Sequence, residues 1–238
     1  MLPVFIVDEI PQQGDVSLVG DEAHHAATVT RVKLGDELLL TDGRGVSAHV
    51  KVSIIEKKSV TCVVISREIR EPSLTRLTVV QALTKGDRAR ETIELLTEAG
   101  VDEIIPWSAQ RSIGQWKDDA QFKWTSWARE ATKQSRRNWI PVISPMQNTS
   151  SLTNAASEHD CLLVFHEGSK MKLSQVLQGK SYKKVLLVIG PEGGLTEEEV
   201  HAFVAAGGVV VGMGLPVFRS AHAGAAALAA VQTALGIW

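Results

Sequence analysis

The sequence predicts an α/β protein, a mostly parallel sheet with helices on both faces, preceded by a small β-barrel. Three observations carry that expectation. Apolar strand-like runs alternate with helical patterns through the later two thirds of the 238 residues, the rhythm of a parallel sheet joined by crossover helices. The opening part instead holds short alternating segments punctuated by turn signals. Between the two styles, the charged, proline-containing segment Arg67–Ser73 reads as a linker. The expected domains are therefore residues 1–70 and 74–238.

Each element has its own warrant. Asp42-Gly43-Arg44-Gly45 separates ELLLT from SAHVKVSII, and Glu56-Lys57-Lys58-Ser59 separates that run from VTCVVIS. Hairpin-linked short strands with one helical insert, Glu22–Val32, suggest a compact barrel. Beyond the linker, RLTVVQAL reads as a strand and Asp87–Ala99 as a helix ended by Gly100 at the C′ position. VDEIIPW, CLLVFHE, KVLLVIG and GGVVVGMG are further strands. The last helix, Ala221–Leu235, is dominated by alanine, whose small side chain allows close packing within the domain or against a second subunit.

Composition bounds the function. At 44% hydrophobic residues the chain can bury a sizeable core, and a net charge of −2 means that any nucleic-acid contact must come from a local basic patch. Cys62 and Cys161 lie in apolar runs without CxxC or Cys/His metal spacing, so buried reduced thiols and no metal are expected. No charged-then-apolar leader precedes the first strand, and no apolar run reaches the roughly 18 residues of a membrane span. A cytoplasmic protein without a membrane partner is the expectation.

The most informative stretch is Lys184–Leu195, KVLLVIGPEGGL, an apolar strand that stops at Gly190, Pro191, Glu192, Gly193 and Gly194. Glycine-rich turns at the carboxyl ends of parallel strands hold ligands, because bare backbone can approach closely there. No Lys-Ser/Thr follows the glycines, which excludes a Walker loop, and the G-x-G-x-x-G spacing is missing. Thr196 and Glu199 form a capping box, and Glu197 and Glu198 add charge to the same helical turn. Those acids and Glu192 would repel a phosphate, so a neutral or cationic ligand fits better. Two other strand ends carry similar loops, Phe165-His166-Glu167-Gly168 and Met213-Gly214-Leu215-Pro216, the latter leading through Val217-Phe218-Arg219-Ser220 into the last helix. Together the three would form one cleft if their strands lie side by side.

These residues and several others resemble a known family. His24-His25, Val29, Arg31, Leu34-Gly35-Asp36-Glu37 and Asp42-Gly43 look like its barrel signature, and Lys85-Gly86-Asp87-Arg88 and Thr97-Glu98-Ala99-Gly100-Val101 like its central motifs. Glu130-Ala131, Gln134, Arg137 and Pro141 resemble its helical motif, and Gly190–Gly194 with Glu199 is the most specific piece. The whole chain is similar to the bacterial small-subunit ribosomal RNA uridine-N3 methyltransferases, the RsmE family of the SPOUT superfamily. The resemblance implies a PUA-like RNA-binding barrel, a SPOUT domain with a deep trefoil knot, a homodimer, and S-adenosylmethionine as cofactor. Cofactor contacts are then expected from His166, Glu167 and Gly168, from Ile189, Gly190, Pro191, Glu192, Gly193 and Gly194, and from Met213, Gly214, Leu215, Val217, Phe218, Arg219 and Ala223. A sulfonium is cationic and adenosine carries no phosphate, in keeping with the acidic turn.

The chain departs from the family at its final motif. An Ile-Leu-Arg-Thr-Glu-Thr-Ala pattern reads here Val217-Phe218-Arg219-Ser220-Ala221-His222-Ala223, so the acid is gone. The N-terminus has Leu2-Pro3-Val4-Phe5 in place of an early arginine.

Methylating N3 of uridine requires an unpaired or flipped base, loss of the N3 proton, and stabilisation of charge on the flanking carbonyls. Arg219 is the first candidate for that stabilisation, against a helix-end or phosphate contact, and His222 a second candidate as general base, against a capping role. For RNA, Arg129, Lys133, Arg136 and Arg137 fall on the helix face opposite Trp124, Trp127, Ala128, Ala131 and Ser135, a candidate phosphate track against a merely solvated face. Lys85, Arg88 and Arg111 could extend it toward 16S ribosomal RNA in the small subunit. The competing readings are another SPOUT specificity and a non-catalytic RNA-binding or ribosome-assembly factor.

Overall fold

The computed structural model describes residues 2–86, 88–214 and 216–238, and the chain falls into two units. One comprises Met1–Pro72 with Thr132–Ile140, the other Ser73–Ala131 with Pro141–Trp238.

In the first unit β1 (Val4–Ile6), β2 (Asp15–Val19), β3 (Glu37–Thr41), β4 (Val46–Ile55) and β5 (Ser59–Ile69) form one sheet in the order β1-β3-β4-β5-β2. β1 runs parallel to β3, and the other pairings are antiparallel. Alternate side chains from every strand, among them Phe5, Leu18, Leu40, Val50 and Val60, enter a single core, so the sheet curls around it. Cys62 belongs to this core, and burial pushes its thiol up to about 11. Like Cys161 it is a free, buried cysteine. The helical insert is α1 (Gly20–His24) followed by a π-helical turn, His25–Thr30.

One boundary differs from the expectation of a linker starting at Arg67. Residues 67–69 extend β5, with Arg67, Glu68 and Ile69 paired to Ala48, Ser47 and Val46. Their charge misled, because an exposed strand face tolerates charge as readily as a linker does.

The returning segment Thr132–Ile140 completes this unit. Gly45 N donates to Asn138 O and Ile140 N to Gly43 O, both at 2.9 Å. Trp139 lies so close over the turn that a Cβ at Gly45 would sit 2.5 Å from its ring, leaving room only for glycine. In the same segment Lys133 is buried, its ammonium 3.4 Å from Glu22 Oε1.

The second unit contains β6 (Arg76–Ala82), α2 (Arg88–Glu98), β7 (Glu103–Trp107), α3 (Ala120–Ser135, whose last turn counts with the first unit), β8 (Val142–Ile143) and α4 (Thr149–Ala155). Then follow β9 (Cys161–Phe165), α5 (Leu173–Leu177), β10 (Lys184–Ile189), α6 (Glu197–Ala205), β11 (Val209–Val211) and α7 (Ser220–Ala234). The strands order as β11-β9-β10-β6-β7-β8, every pairing parallel. Both sheet faces are covered, which explains the unbroken apolar runs. Val79, Leu163 and Leu187 pack with Leu96 of α2 and Leu228 of α7, whereas Val80, Val164 and Leu186 pack with Leu152 of α4 and Phe203 of α6. Gly100 ends α2 as expected, with Val101 N donating to Leu96 O across it.

Asp160, just before β9, accepts Lys183 N at 2.8 Å and Lys184 N at 2.9 Å, locking the start of β10 beside it. Those bonds from Lys184 and Lys183 hold its carboxyl below the ordinary range. A lowered folded-state pKa gives stability that is fully present above the ordinary aspartate value of about 3.9 and is lost as pH falls through the folded value. Urea midpoints of the protein and of Asp160→Asn should therefore differ by a constant amount above about pH 5 and converge in stronger acid. Parallel profiles down to acid denaturation would contradict this.

Among the described residues no helix is long and apolar enough to cross a membrane. None of them form a group of three or more His, Cys, Asp or Glu that could hold a metal ion.

Candidate functional site

Because β11, β9 and β10 are parallel neighbours, their carboxyl ends emerge at the same edge of the sheet. The three loops leaving them enclose a cleft of about 340 Å³, within the range of small-molecule sites. β9 contributes His166 and Glu167, and β10 contributes Ile189, Gly190, Pro191, Glu192 and Gly194. The connection from β11 to α7 supplies Met213, Gly214, Val217, Phe218, Arg219 and Ala223. Leu215 lies outside the described residues, as does Asp87 of the central motif.

Two of the sequence candidates do not line the wall. Gly168 N donates to His166 Nδ1 at 3.0 Å, so Gly168 serves to orient the ring. With Nδ1 accepting, neutral His166 carries its proton on Nε2 and presents a donor there. Gly193 faces away, its missing Cβ 3.1 Å from Arg111 Cβ. Phe165, Leu195, Val211, Pro216 and Ser220 also line the cleft, beyond the residues from which cofactor contacts are expected. Four are apolar or proline neighbours of loop residues, and Ser220 reads in sequence only as a helix start.

The turn after β10 is held from behind. Gly194 has φ +73°, a conformation that favours glycine, and its amide donates to Pro191 O. Thr196 and Glu199 form the expected capping box, with Thr196 N to Glu199 Oε2 at 3.0 Å and Glu199 N to Thr196 Oγ1 at 3.2 Å. The other carboxylate oxygen of Glu199, which is buried, accepts Gln110 N at 2.7 Å from the loop after β7. Arg111 adds bonds to Gly193 O at 3.1 Å and Leu195 O at 3.4 Å. The amino end of α6 is thus filled by its own side chains. Glu192 meets Arg88 of α2 at 3.5 Å.

The cleft wall therefore combines two carboxylates, Glu167 and Glu192, one guanidinium, Arg219, and an apolar lining that includes Phe165, Ile189 and Leu195. Backbone groups of three loops supply the remaining polarity. This donor set suits an uncharged, hydrogen-bonding body with a cationic centre and disfavours phosphate.

Residues 70–232 match the RNA methyltransferase domain and residues 18–65 the RNA methyltransferase PUA domain. The chain belongs to the RNA methyltransferase family. It is 36% identical to the ribosomal RNA small subunit methyltransferase E of Mycobacterium bovis, over 99% of this chain and 93% of that one. The protein of the same name from Bacillus subtilis is 32% identical, covering 94% and 92%. A crystal structure of ribosomal RNA small subunit methyltransferase E from Neisseria gonorrhoeae bound to S-adenosyl methionine superposes with a TM-score of 0.88, at 25% identity and 98% of both chains.

In this RNA methyltransferase the remaining candidates are distributed as follows. His222 is not among the cleft-lining residues; its Nε2 lies 3.1 Å from Glu91 of α2, both side chains about half exposed. Lys85 is exposed on the loop after β6, while Arg88 and Arg111 flank the turn through the contacts above. Arg129 and Arg137 are half-buried, and Arg136 is exposed and donates to Leu2 O at 2.9 Å. The helix stops at Ser135, so Arg136 and Arg137 do not continue its face. Lys133 departs most from the expected solvent-facing stripe: its side chain is 7% exposed and satisfied by Glu22. Helical periodicity placed it on the polar face, and only the tertiary fold brings a carboxylate 111 residues away to cover it.

Proposed function

We propose that this chain transfers a methyl group from S-adenosylmethionine to N3 of a uridine in 16S ribosomal RNA of the small ribosomal subunit. The observation that carries this reading is the acid-lined, phosphate-hostile cleft built from three adjacent strand ends in a member of the RNA methyltransferase family. The cofactor supplies an electrophilic methyl group on a sulfonium. Gly190, Gly194 and Gly214 leave backbone open to its adenosine, and Glu167 and Glu192 suit its positive charge. His166 can donate from Nε2 to an acceptor in the cleft.

Toward the base, Arg219 stands at the wall without a carboxylate partner among the described residues. Its guanidinium would stabilise charge developing on the uridine carbonyls as the N3 proton leaves. His222, held by Glu91, is the second candidate, as acceptor of that proton. Residues 1–70 act in this reading as the PUA-like RNA-binding domain and 74–238 as the SPOUT methyltransferase domain. The RNA-contact candidates are Lys85, Arg88, Arg111 and Arg129 in one unit and Arg136 and Arg137 in the other, whereas Lys133, buried against Glu22, is not one of them.

A trefoil knot, a homodimer and a cytoplasmic location complete the proposal. The knot is supported by the stitching of the C-terminal chain into the loop after β9. His166 N donates to Val211 O, Gly212 N donates to Met171 O, and the chain then returns to lay α7 against β10 and β6.

Calorimetry with S-adenosylmethionine and mass spectrometry of ribosomal RNA from cells with and without the protein test the reading. Binding together with loss of one methyluridine on deletion is expected. No binding at millimolar cofactor, or an unchanged uridine methylation profile, would overturn it. Binding with an unchanged profile would favour a non-catalytic RNA-binding or assembly role, for which the altered Ser220-Ala221-His222 gives the specific reason.

A further inference from the structure

We infer that Gln81, outside the cleft and in none of the motifs above, is a positioning residue that sets the backbone of the cofactor turn through a buried relay. The inference rests on the cofactor reading just given, because it assigns how that site is held.

Gln81 is fully buried in β6, on the sheet face that carries α2 and α7. Its Nε2 donates to Ala82 O at 3.1 Å and to Ser220 Oγ at 3.2 Å. A serine hydroxyl has one proton; since it accepts from Gln81, that proton is free to go onward, and Ser220 Oγ lies 2.7 Å from Gly190 O. Polarity thus runs one way, from amide through hydroxyl to the first carbonyl of the glycine turn. The amide cannot be flipped, because its oxygen would then face the Ala82 carbonyl. In this orientation Gln81 Oε1 is buried and has no hydrogen-bond partner.

That orphan acceptor is informative. An unpaired buried oxygen is destabilising, and natural structures keep few of them. A leucine or methionine of similar size would avoid the penalty if packing alone mattered. What glutamine adds is one N–H beyond the bond to Ala82, and that N–H orients Ser220. Ser220 is the first residue of α7 and lines the cleft, and Gly190 lies opposite on the turn. The relay therefore ties the ends of β6 and β10 to the start of α7, fixing the separation of two cleft walls.

Gln81→Met removes the donor at nearly constant volume. Gln232→Met is the control, because Gln232 is a second buried glutamine on α7 whose Nε2 donates to Ala99 O, and it lies outside the cleft. Hydrogen exchange without cofactor should show the Gly194 and Thr196 amides exchanging about 5- to 10-fold faster in Gln81→Met, the factor one net hydrogen bond provides. S-adenosylmethionine dissociation constants from calorimetry should rise by a similar factor. Gln232→Met should lower the melting temperature while leaving both readouts unchanged. Should Gln81→Met not fold, Ser220→Ala breaks the same relay and should loosen the same amides.

Wild-type exchange in the turn of a folded relay variant, or equal loosening in Gln232→Met, would overturn the inference. If the unmodified protein binds no S-adenosylmethionine, the cofactor reading falls alone, and the exchange data still decide the relay.

Discussion

Arg219→Ala is expected to slow methyl transfer about 10²- to 10³-fold in single-turnover assays, the usual effect of deleting one donor aimed at developing charge. Uridine N3 becomes nucleophilic only as its proton departs, spreading negative charge over the two carbonyl oxygens. A guanidinium presents a planar fork of donors to such an array. Arg219 is exposed at the cleft wall, and its own carbonyl receives His222 N and Ala223 N at 2.9 Å, so α7 anchors its backbone while the side chain stays available. Cofactor affinity should change far less than the rate. Arg219→Lys should fall between, keeping the charge and losing the fork. A rate close to wild type combined with a raised KM for RNA would reassign Arg219 to phosphate binding.

The largest stability effect near the cleft is expected at Glu199. Glu199→Ala should cost about 2–4 kcal/mol, because one buried backbone amide is orphaned, at about 1–3 kcal/mol, and a second, part-buried amide loses a bond to a charged acceptor. One is Thr196 N in the capping box, and the other is Gln110 N in the loop after β7. Loss of the second bond detaches that loop from the cofactor turn, leaving the Arg111 contacts to hold it. Cofactor binding should therefore weaken along with folding. Glu199→Gln keeps one acceptor oxygen and should lose about half as much. Urea unfolding measures both; equal midpoints for the alanine variant and the parent would show that water replaces the carboxylate.

Local chemistry was the legible part of this chain. The Thr196–Glu199 capping box, the Gly100 helix stop and the three strand-end loops rest on neighbouring residues, and each is found where the sequence puts it. Relations between distant residues were not legible. Periodicity shows a polar face around Lys133 but cannot show Glu22 arriving to cover it. Glycine at 193 signals a turn, yet not that the residue backs onto Arg111 rather than the cleft. Gln81 and Ser220 are 139 positions apart, and nothing in either neighbourhood announces their bond. β8, with two residues, is shorter than any periodic signal.

The return of Thr132–Ile140 to the first unit has a practical side. Expression of the opening 72 residues alone would leave the β3–β4 turn bare, without Trp139 over Gly45 or the pairing of Gly43 with Ile140. The stretch that finishes the RNA-side unit is encoded after the first third of the other. On the ribosome, the PUA-type unit must therefore wait for some 140 residues to emerge before it can close, and the enzyme's two halves cannot mature strictly one after the other.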